Sequence, residues 1–204
     1  MILAAGRGER LRPLTDSVPK ALTEVRGEAL LDRHLRALQA AGAETVVINL
    51  GWLGDQIAAR VASGAAYGVN VIYSPEDEEI LETGGGIHNA LPFLGDAPFV
   101  VVNADIYTDM PMPAAELDKD STGKLIVVPT PEQKAQADIG VADGRLRYGP
   151  ERPYTFSGVA VYRPEFFADC KAGRFSIVAM LRAAGDADQL ACEVYSGRWY
   201  DVGR

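Results

Sequence analysis

The chain has 204 residues, 48% of them hydrophobic, and 20 Lys+Arg against 28 Asp+Glu give it a net charge of −8. That length and apolar content suit one domain with a sizeable core, and the acidic balance excludes a nucleic-acid surface, which needs a basic stripe. No run of ~18 apolar residues is present to span a membrane and no long apolar segment near the start reads as a secretory signal, so a cytoplasmic protein is expected.

Met1-Ile2-Leu3 is a short apolar strand that opens into a small-residue loop, Ala4-Ala5-Gly6-Arg7-Gly8. Residues 28–41 place Leu31, Leu35 and Leu38 at helical spacing, with Gly42 as the stop signal. Thr45–Leu50 is β-branched and short, the pattern of a buried strand. A helix follows near Leu53–Ala62, where Leu53, Ile57 and Val61 stand four apart, and Val69–Tyr73 reads as a strand. Ile87–Leu91 reads as a short helix after three glycines, and Phe99–Asn103 as a strand. Short apolar strands alternating with helices predict a mostly parallel sheet covered on both faces, a three-layer α/β fold.

After Asp109 the pattern changes. Met110-Pro111-Met112-Pro113 is a connector in which the prolines rule out helix. Lys124–Val128 is a predicted strand, 130–150 a polar, turn-rich stretch containing Asp143-Gly144, 157–163 a strand, and Phe175–Ala184 a helix. Arg198–Val202 is strand-like. The second half therefore predicts antiparallel strands flanking the sheet. The division expected is one domain, 1–204, with a first half at 1–109 and a second at 110–204.

The loop after the first strand carries the strongest chemical signal. Residues 1–20 hold Arg7, Arg10, Arg12 and Lys20 against Glu9 and Asp16, a local +2 in an acidic chain. Glycines let bare backbone N–H groups approach a polyanion, and cations on the same loop neutralise it. A tight turn alone accounts for Gly6 and Gly8 but not for the clustered cations. Gly6-x-Gly8-x-x-Leu11 lacks the third glycine of a dinucleotide fingerprint, and no GK[ST] follows, which excludes a Walker loop. A cradle for a nucleoside triphosphate remains. Arg10 and Arg12 lie on opposite faces if the loop is extended, which leaves one of them open to a structural role.

Four stretches then occur in order along nearly the whole chain: Gly6-Arg7-Gly8-Glu9-Arg10-Leu11 with Pro19-Lys20, Leu81-Glu82-Thr83-Gly84-Gly85-Gly86, Val102-Asn103-Ala104-Asp105, and Trp199-Tyr200-Asp201-Val202-Gly203. Together they resemble the signatures of the sugar-1-phosphate nucleotidyltransferases, the nucleoside-diphosphate-sugar pyrophosphorylases. The short length and the LETGGGI wording look most like the branch that uridylylates N-acetylmuramate α-1-phosphate. The resemblance implies a Rossmann-like α/β/α fold and transfer of UMP from UTP to a sugar 1-phosphate, giving a UDP-sugar and pyrophosphate in the recycling of peptidoglycan sugar.

It also implies the site. Arg10 would meet the leaving phosphates, Lys20 the α-phosphate and the incoming phosphate, and Asp105 and Asp201 a Mg²⁺ ion. The nucleotide would lie between Leu3, Ala4, Ala5, Gly6 and Gly8 on one side and Glu82, Gly84 and Gly85 on the other. Relatives often read L-G-T-A-G at the second stretch, so Glu82 stands where a glycine is usual and can accept a base or ribose hydrogen bond. Asn103, Asp138, Gly140 and Gly158 would contact the sugar, and Glu151-Arg152-Pro153 is the nearest wording to the Glu-Lys-Pro segment that holds the sugar phosphate. An attacking phosphate is anionic near neutral pH, so catalysis by positioning and electrostatics is expected, with no general base.

Two rival readings stay open: a mannose-1-phosphate guanylyltransferase, which shares the phosphate chemistry, and a metal-dependent glycosyltransferase, although Asp105-Ile106-Tyr107 lacks the second acid of a D-x-D motif. A non-catalytic nucleotide-sugar sensor would have no need of Arg10, Lys20, Asp105 and Asp201 together. His34, His88 and Trp52 read as structural, Trp199 as a wall of the sugar pocket, and Cys170 and Cys192 as free thiols. The expected partners are UTP and a sugar 1-phosphate, with no nucleic acid or membrane, for a monomer or weak homo-oligomer. Members of this family carry a residue or two before the first strand and a closing helix after the last motif, so further terminal residues beyond this sequence are expected.

Overall fold

The computed structural model describes residues 1–76, 80–132, 137–149 and 151–203; part of the polar stretch 130–150 lies outside them. Thirteen strands occur among the described residues: β1 (Ile2–Leu3), β2 (Glu24–Val25), β3 (Glu28–Ala29), β4 (Thr45–Leu50), β5 (Asn70–Pro75), β6 (Phe99–Asn103), β7 (Ile106–Thr108), β8 (Gly123–Pro129), β9 (Gly140–Ala142), β10 (Arg145–Arg147), β11 (Tyr154–Tyr162), β12 (Leu190–Val194) and β13 (Trp199–Asp201). The α-helices are α1 (Leu30–Ala40), α2 (Gly54–Val61), α3 (Glu82–Leu94) and α4 (Val178–Asp186). Nine strands form one sheet in the order β5-β4-β1-β6-β11-β8-β12-β10-β9. The first four run parallel, and β11 enters antiparallel between β6 and β8.

The strands are apolar almost throughout because both faces are covered, and the period of two sends alternate residues into different cores. Val46 and Ile48 of β4 and Val102 of β6 pack with Leu31, Leu35 and Leu38 of α1 and Ile57 and Val61 of α2. Val47, Val101, Leu125 and Val127 point the other way, into a cluster with Ile87 and Ala90 of α3 and Leu181 and Ala184 of α4. This is the predicted three-layer α/β/α arrangement, and the second half supplies the antiparallel strands. Among the described residues no helix is long and apolar enough to cross a membrane, and both cysteines are free.

Three boundaries differ from the sequence pattern for local reasons. α1 starts at Leu30 because Glu28 and Ala29 pair with Glu24 and Val25 across Arg26-Gly27, whose φ angles of 56° and 82° are those of a tight hairpin turn. Asp143-Gly144, at φ 52° and 69°, makes the same kind of turn between β9 and β10. α3 begins at Glu82 and takes in Gly84, Gly85 and Gly86, although glycine is a poor helix former. A side chain at Gly84 would collide with the Phe175 ring at 2.5 Å, and one at Gly85 with the Gly173 carbonyl oxygen. Close packing outweighs propensity here.

His34 shows how burial sets a charge state. It is 1% exposed in α1, its Nε2 has no hydrogen-bond partner among the described residues, and burial pushes its pKa down to about 4, against the opposing pull of the Ile106 carbonyl and Asp105. Between its ordinary value of 6.5 and about 4 the unfolded chain takes up a proton that the folded chain refuses, so stability falls as pH falls through that window. Urea unfolding should show this group costing about 3 kcal/mol on going from pH 7 to pH 4. A His34→Gln variant should lack that part of the slope.

Candidate active site

In an open α/β sheet, ligands sit beyond the carboxyl ends of the strands. Here β1 lies between β4 and β6, and Leu3 is in register with Asn49 on one side and Asn103 on the other. A cleft of about 170 Å³ opens at this rim, lined by Leu3, Ala4, Ala5, Gly6, Lys20, Asn49, Glu76, Ile80, Glu82, Thr83, Asn103 and Asp105 among others. A second cavity of about 920 Å³ lies beside it, walled by β11, α4, β13 and the segment before β9. Thr83, Asn103 and Asp105 line both. The two cavities meet at Asp105.

Lys20 reaches that junction. Its Nζ pairs with Asp105 Oδ2, each side chain only one-fifth exposed. Pro19 precedes it in extended conformation, and Lys20 opens a short 3₁₀ turn through Leu22. The loop before it is compact, with similar turns at Glu9–Leu11 and Leu14–Asp16. That folding resolves the roles of the loop cations. Arg12 Nε pairs with Asp16 at 2.8 Å, and the Arg7 guanidinium lies 4.2 Å from the centre of the Trp52 ring. Trp52 Nε1 in turn donates to the Thr15 carbonyl at 2.8 Å, tying the loop to the end of β4. Arg10 is exposed on the first turn, outside the cleft lining, and is in no ion pair among the described residues.

Asp201 comes to Asp105 through a two-stranded ribbon. β13 pairs with β7 so that Asp201 faces Ile106, and the Val202 N–H donates to the Asp105 carbonyl at 3.0 Å. Asp105 and Asp201 both line the larger cavity. Among the described residues no group of three or more His, Cys, Asp and Glu assembles. Two hard carboxylates without a third suit Mg²⁺, which keeps several waters and takes the rest of its ligands from phosphate oxygens. Trp199 Nε1 donates to the Ser157 carbonyl at 2.8 Å and walls the same cavity.

Not every expected contact faces a cavity. Gly84 and Gly85 are buried, and both N–H groups donate to the Phe175 carbonyl at 3.1 Å, so the second glycine stretch offers its Glu82 and Thr83 to the cleft instead. Gly8 begins the first turn at φ +67°, where a side chain would press on Lys20 and Thr15 at 3.1 Å; it shapes the loop and does not line the cleft. At Gly140 an added β-carbon would lie 2.5 Å from the Glu151 carbonyl oxygen, and the residue is outside the larger cavity's lining. Asn103, Asp138 and Gly158 do line that cavity. Gly158 sits in a β11 bulge at φ +82°, and a side chain there would stand 3.0 Å from Asn103 Nδ2.

Glu82 is the strained member. It holds φ +61°, a region costly for a side chain with a β-carbon, while Oε1 accepts from Arg174 Nε at 3.0 Å. A glycine would adopt this φ without strain.

Three site residues escaped the sequence reading. Asn49 Oδ1 accepts from the Ala4 N–H at 2.7 Å, and its Nδ2 donates to Glu76 Oε1 at 2.6 Å. Glu76 Oε2 takes the Leu81 N–H at 2.7 Å, and burial raises its pKa against these two hydrogen bonds. This buried chain ties the two walls of the smaller cleft together. A polar residue one place before the end of the apolar strand 45–50 was the available signal for Asn49. Gly203 is the third, present in the fourth signature stretch but given no role there: an added β-carbon would lie 2.6 Å from Asp105 Oδ2 and closer still to Lys20 Nζ.

Comparison with known proteins gives this geometry a lineage. The family model described as MobA-like NTP transferase domain matches residues 1–172. The chain is 44% identical to a Neisseria meningitidis serogroup B protein named N-acetylmuramate alpha-1-phosphate uridylyltransferase, covering all of this chain and 92% of that one. A Caulobacter vibrioides protein of the same name is 37% identical over all of this chain and 90% of its own. Among solved structures, HddC from Yersinia pseudotuberculosis complexed with GMP-PN superposes with a TM-score of 0.77 at 21% identity, covering 100% of this chain and 92% of that one.

Proposed function

The chain belongs to the MobA-like NTP transferase family, and from that premise we propose that it transfers UMP from UTP to N-acetylmuramate α-1-phosphate in the cytoplasm, releasing pyrophosphate. The substrates are those named for its full-length relatives. The observation that carries the reading is the junction: the smaller cleft and the larger cavity share Thr83, Asn103 and Asp105, with the Lys20 ammonium at the meeting point. A reaction between two phosphorylated substrates needs such a place.

UTP lies in the smaller cleft, its base toward Glu82 and Thr83 and its α-phosphate at Lys20. The sugar 1-phosphate enters from the larger cavity with its ring against Asn103, Asp138 and the Gly158 bulge. Its phosphate oxygen is the nucleophile and is already deprotonated, so no side chain has to remove a proton. The barrier is the repulsion of two anions and the charge gathering on the departing pyrophosphate. Lys20 offsets the first from a low-exposure position where its charge is weakly screened. Arg10, unpaired on the loop, meets the second. Asp105 and Asp201 would hold Mg²⁺, which supplies further neutralisation of phosphate oxygens when bound.

The test is a matrix of the four ribonucleoside triphosphates against N-acetylmuramate, N-acetylglucosamine, glucose and mannose 1-phosphates, scoring pyrophosphate with Mg²⁺ and with chelator. UTP with N-acetylmuramate 1-phosphate should dominate, and chelation should abolish it. Dominance of GTP with mannose 1-phosphate would replace this reading by the guanylyl one, and silence across the matrix would end both.

A further inference from the structure

The larger cavity holds one guanidinium more than a neutral sugar 1-phosphate has a use for. Its walls bear two guanidiniums, Arg152 and Arg182, and three carboxylates, Asp105, Asp138 and Asp201. Each carboxylate is engaged: Asp105 holds Lys20, Asp138 accepts from Thr155 Oγ1 at 2.6 Å, and Asp201 accepts from the Gly203 N–H at 3.0 Å. Among the described residues neither guanidinium is in an ion pair. Arg152 lies in the Glu-Arg-Pro segment that resembles a sugar-phosphate holder, so it has an anion to meet. Arg182 has none.

Arg182 is an exposed residue of α4, and its guanidinium lies 5.8 Å from the centre of the Tyr148 ring, which lines the same cavity. A ring beneath a planar cation steadies it without neutralising it. One helical turn earlier, on the same face of α4, Val178 is 51% exposed, and Ile177 and Leu181 complete the wall. A bare valine beside an unneutralised guanidinium, both in a concave wall, complements a short substituent that carries a methyl group and a carboxylate.

We propose that Arg182 binds a carboxylate on a substituent of the sugar ring, so that the α4 wall selects an acidic sugar 1-phosphate over its neutral counterpart. This rests on the larger cavity being the sugar site and adds which part of the sugar faces α4. N-acetylmuramate carries a lactyl ether, methyl and carboxylate together, where N-acetylglucosamine has a hydroxyl.

The experiment compares kcat/KM for N-acetylmuramate 1-phosphate and N-acetylglucosamine 1-phosphate, with UTP, in the wild type, Arg182→Gln and Arg182→Lys. Loss of one charge-assisted contact should lower the acid-to-neutral preference of Arg182→Gln about 10- to 100-fold, with the change in KM for the acidic sugar. Arg182→Lys should recover part of it. Equal falls for both sugars would show a structural role and overturn the proposal, as would a wild type that takes the neutral sugar equally well. A wild type that turns over neither sugar would instead sink the functional reading, and this proposal with it. Thermal melting of each variant checks that α4 is intact.

Discussion

Lys20→Ala is expected to lower kcat for pyrophosphate release by about 1,000-fold, a loss of the size seen when a single group aimed at transition-state charge is removed. The ammonium stands where the cleft and the larger cavity meet, on Asp105, with both side chains one-fifth exposed. In the ground state it adds one contact to a triphosphate that many groups hold. As attack proceeds, negative charge shifts onto the oxygens around the α-phosphorus beside it and onto the leaving pyrophosphate. Its deletion should therefore fall on turnover, with UTP affinity by calorimetry weakened about 10-fold or less. Normal turnover at saturation combined with lost affinity would refute that role.

Gly203→Ala should lower kcat about 100-fold while moving the melting temperature little. The new β-carbon would stand 2.6 Å from Asp105 Oδ2, 2.5 Å from Lys20 Cε and nearer still to Lys20 Nζ. The pair has to separate, and misplacing a reacting group by about 1 Å is enough for a loss of this order. The fold has less at stake, because Gly203 follows the β7–β13 ribbon and lies outside the nine-stranded sheet. Activity within twofold of wild type would show that the ion pair at rest is not the arrangement used in the reaction.

Much of this was legible from local pattern. Thr45–Leu50 is a strand with the residues expected, because β-branched runs of that length have one comfortable place in an α/β sheet. The loop after the first strand and Asp105 just after another stand out as site candidates in the sequence, because both follow the carboxyl end of a strand. What escaped depends on neighbours distant in sequence. Asn49 and Glu76 are 27 residues apart, and nothing near either announces the hydrogen bond between them. Gly84 and Gly85 looked like an opening for a nucleobase, yet their space is taken by Phe175 and Gly173, some ninety residues on. The loop cations were visible as a cluster, but only the turn at Leu14–Asp16 shows why Arg12 is spent on Asp16 and Arg10 is not.

The seam at Phe175 makes one wall of the site rigid. The Phe175 N–H donates to the Leu81 carbonyl and the Phe175 carbonyl receives the N–H groups of Gly84 and Gly85, all at 3.1 Å. Three main-chain bonds in a fit with no spare volume resist hinging, because opening would strand polar groups that have no water at hand. The loop of residues 6–20 is fastened differently, by Trp52 on the Thr15 carbonyl and Gln56 on the Ser17 carbonyl. Those tethers are side chains near solvent, and they can let go one at a time. Of the two sides of the cleft, the glycine seam is the one held by main-chain bonds, and the loop of residues 6–20 is the one held largely by side chains.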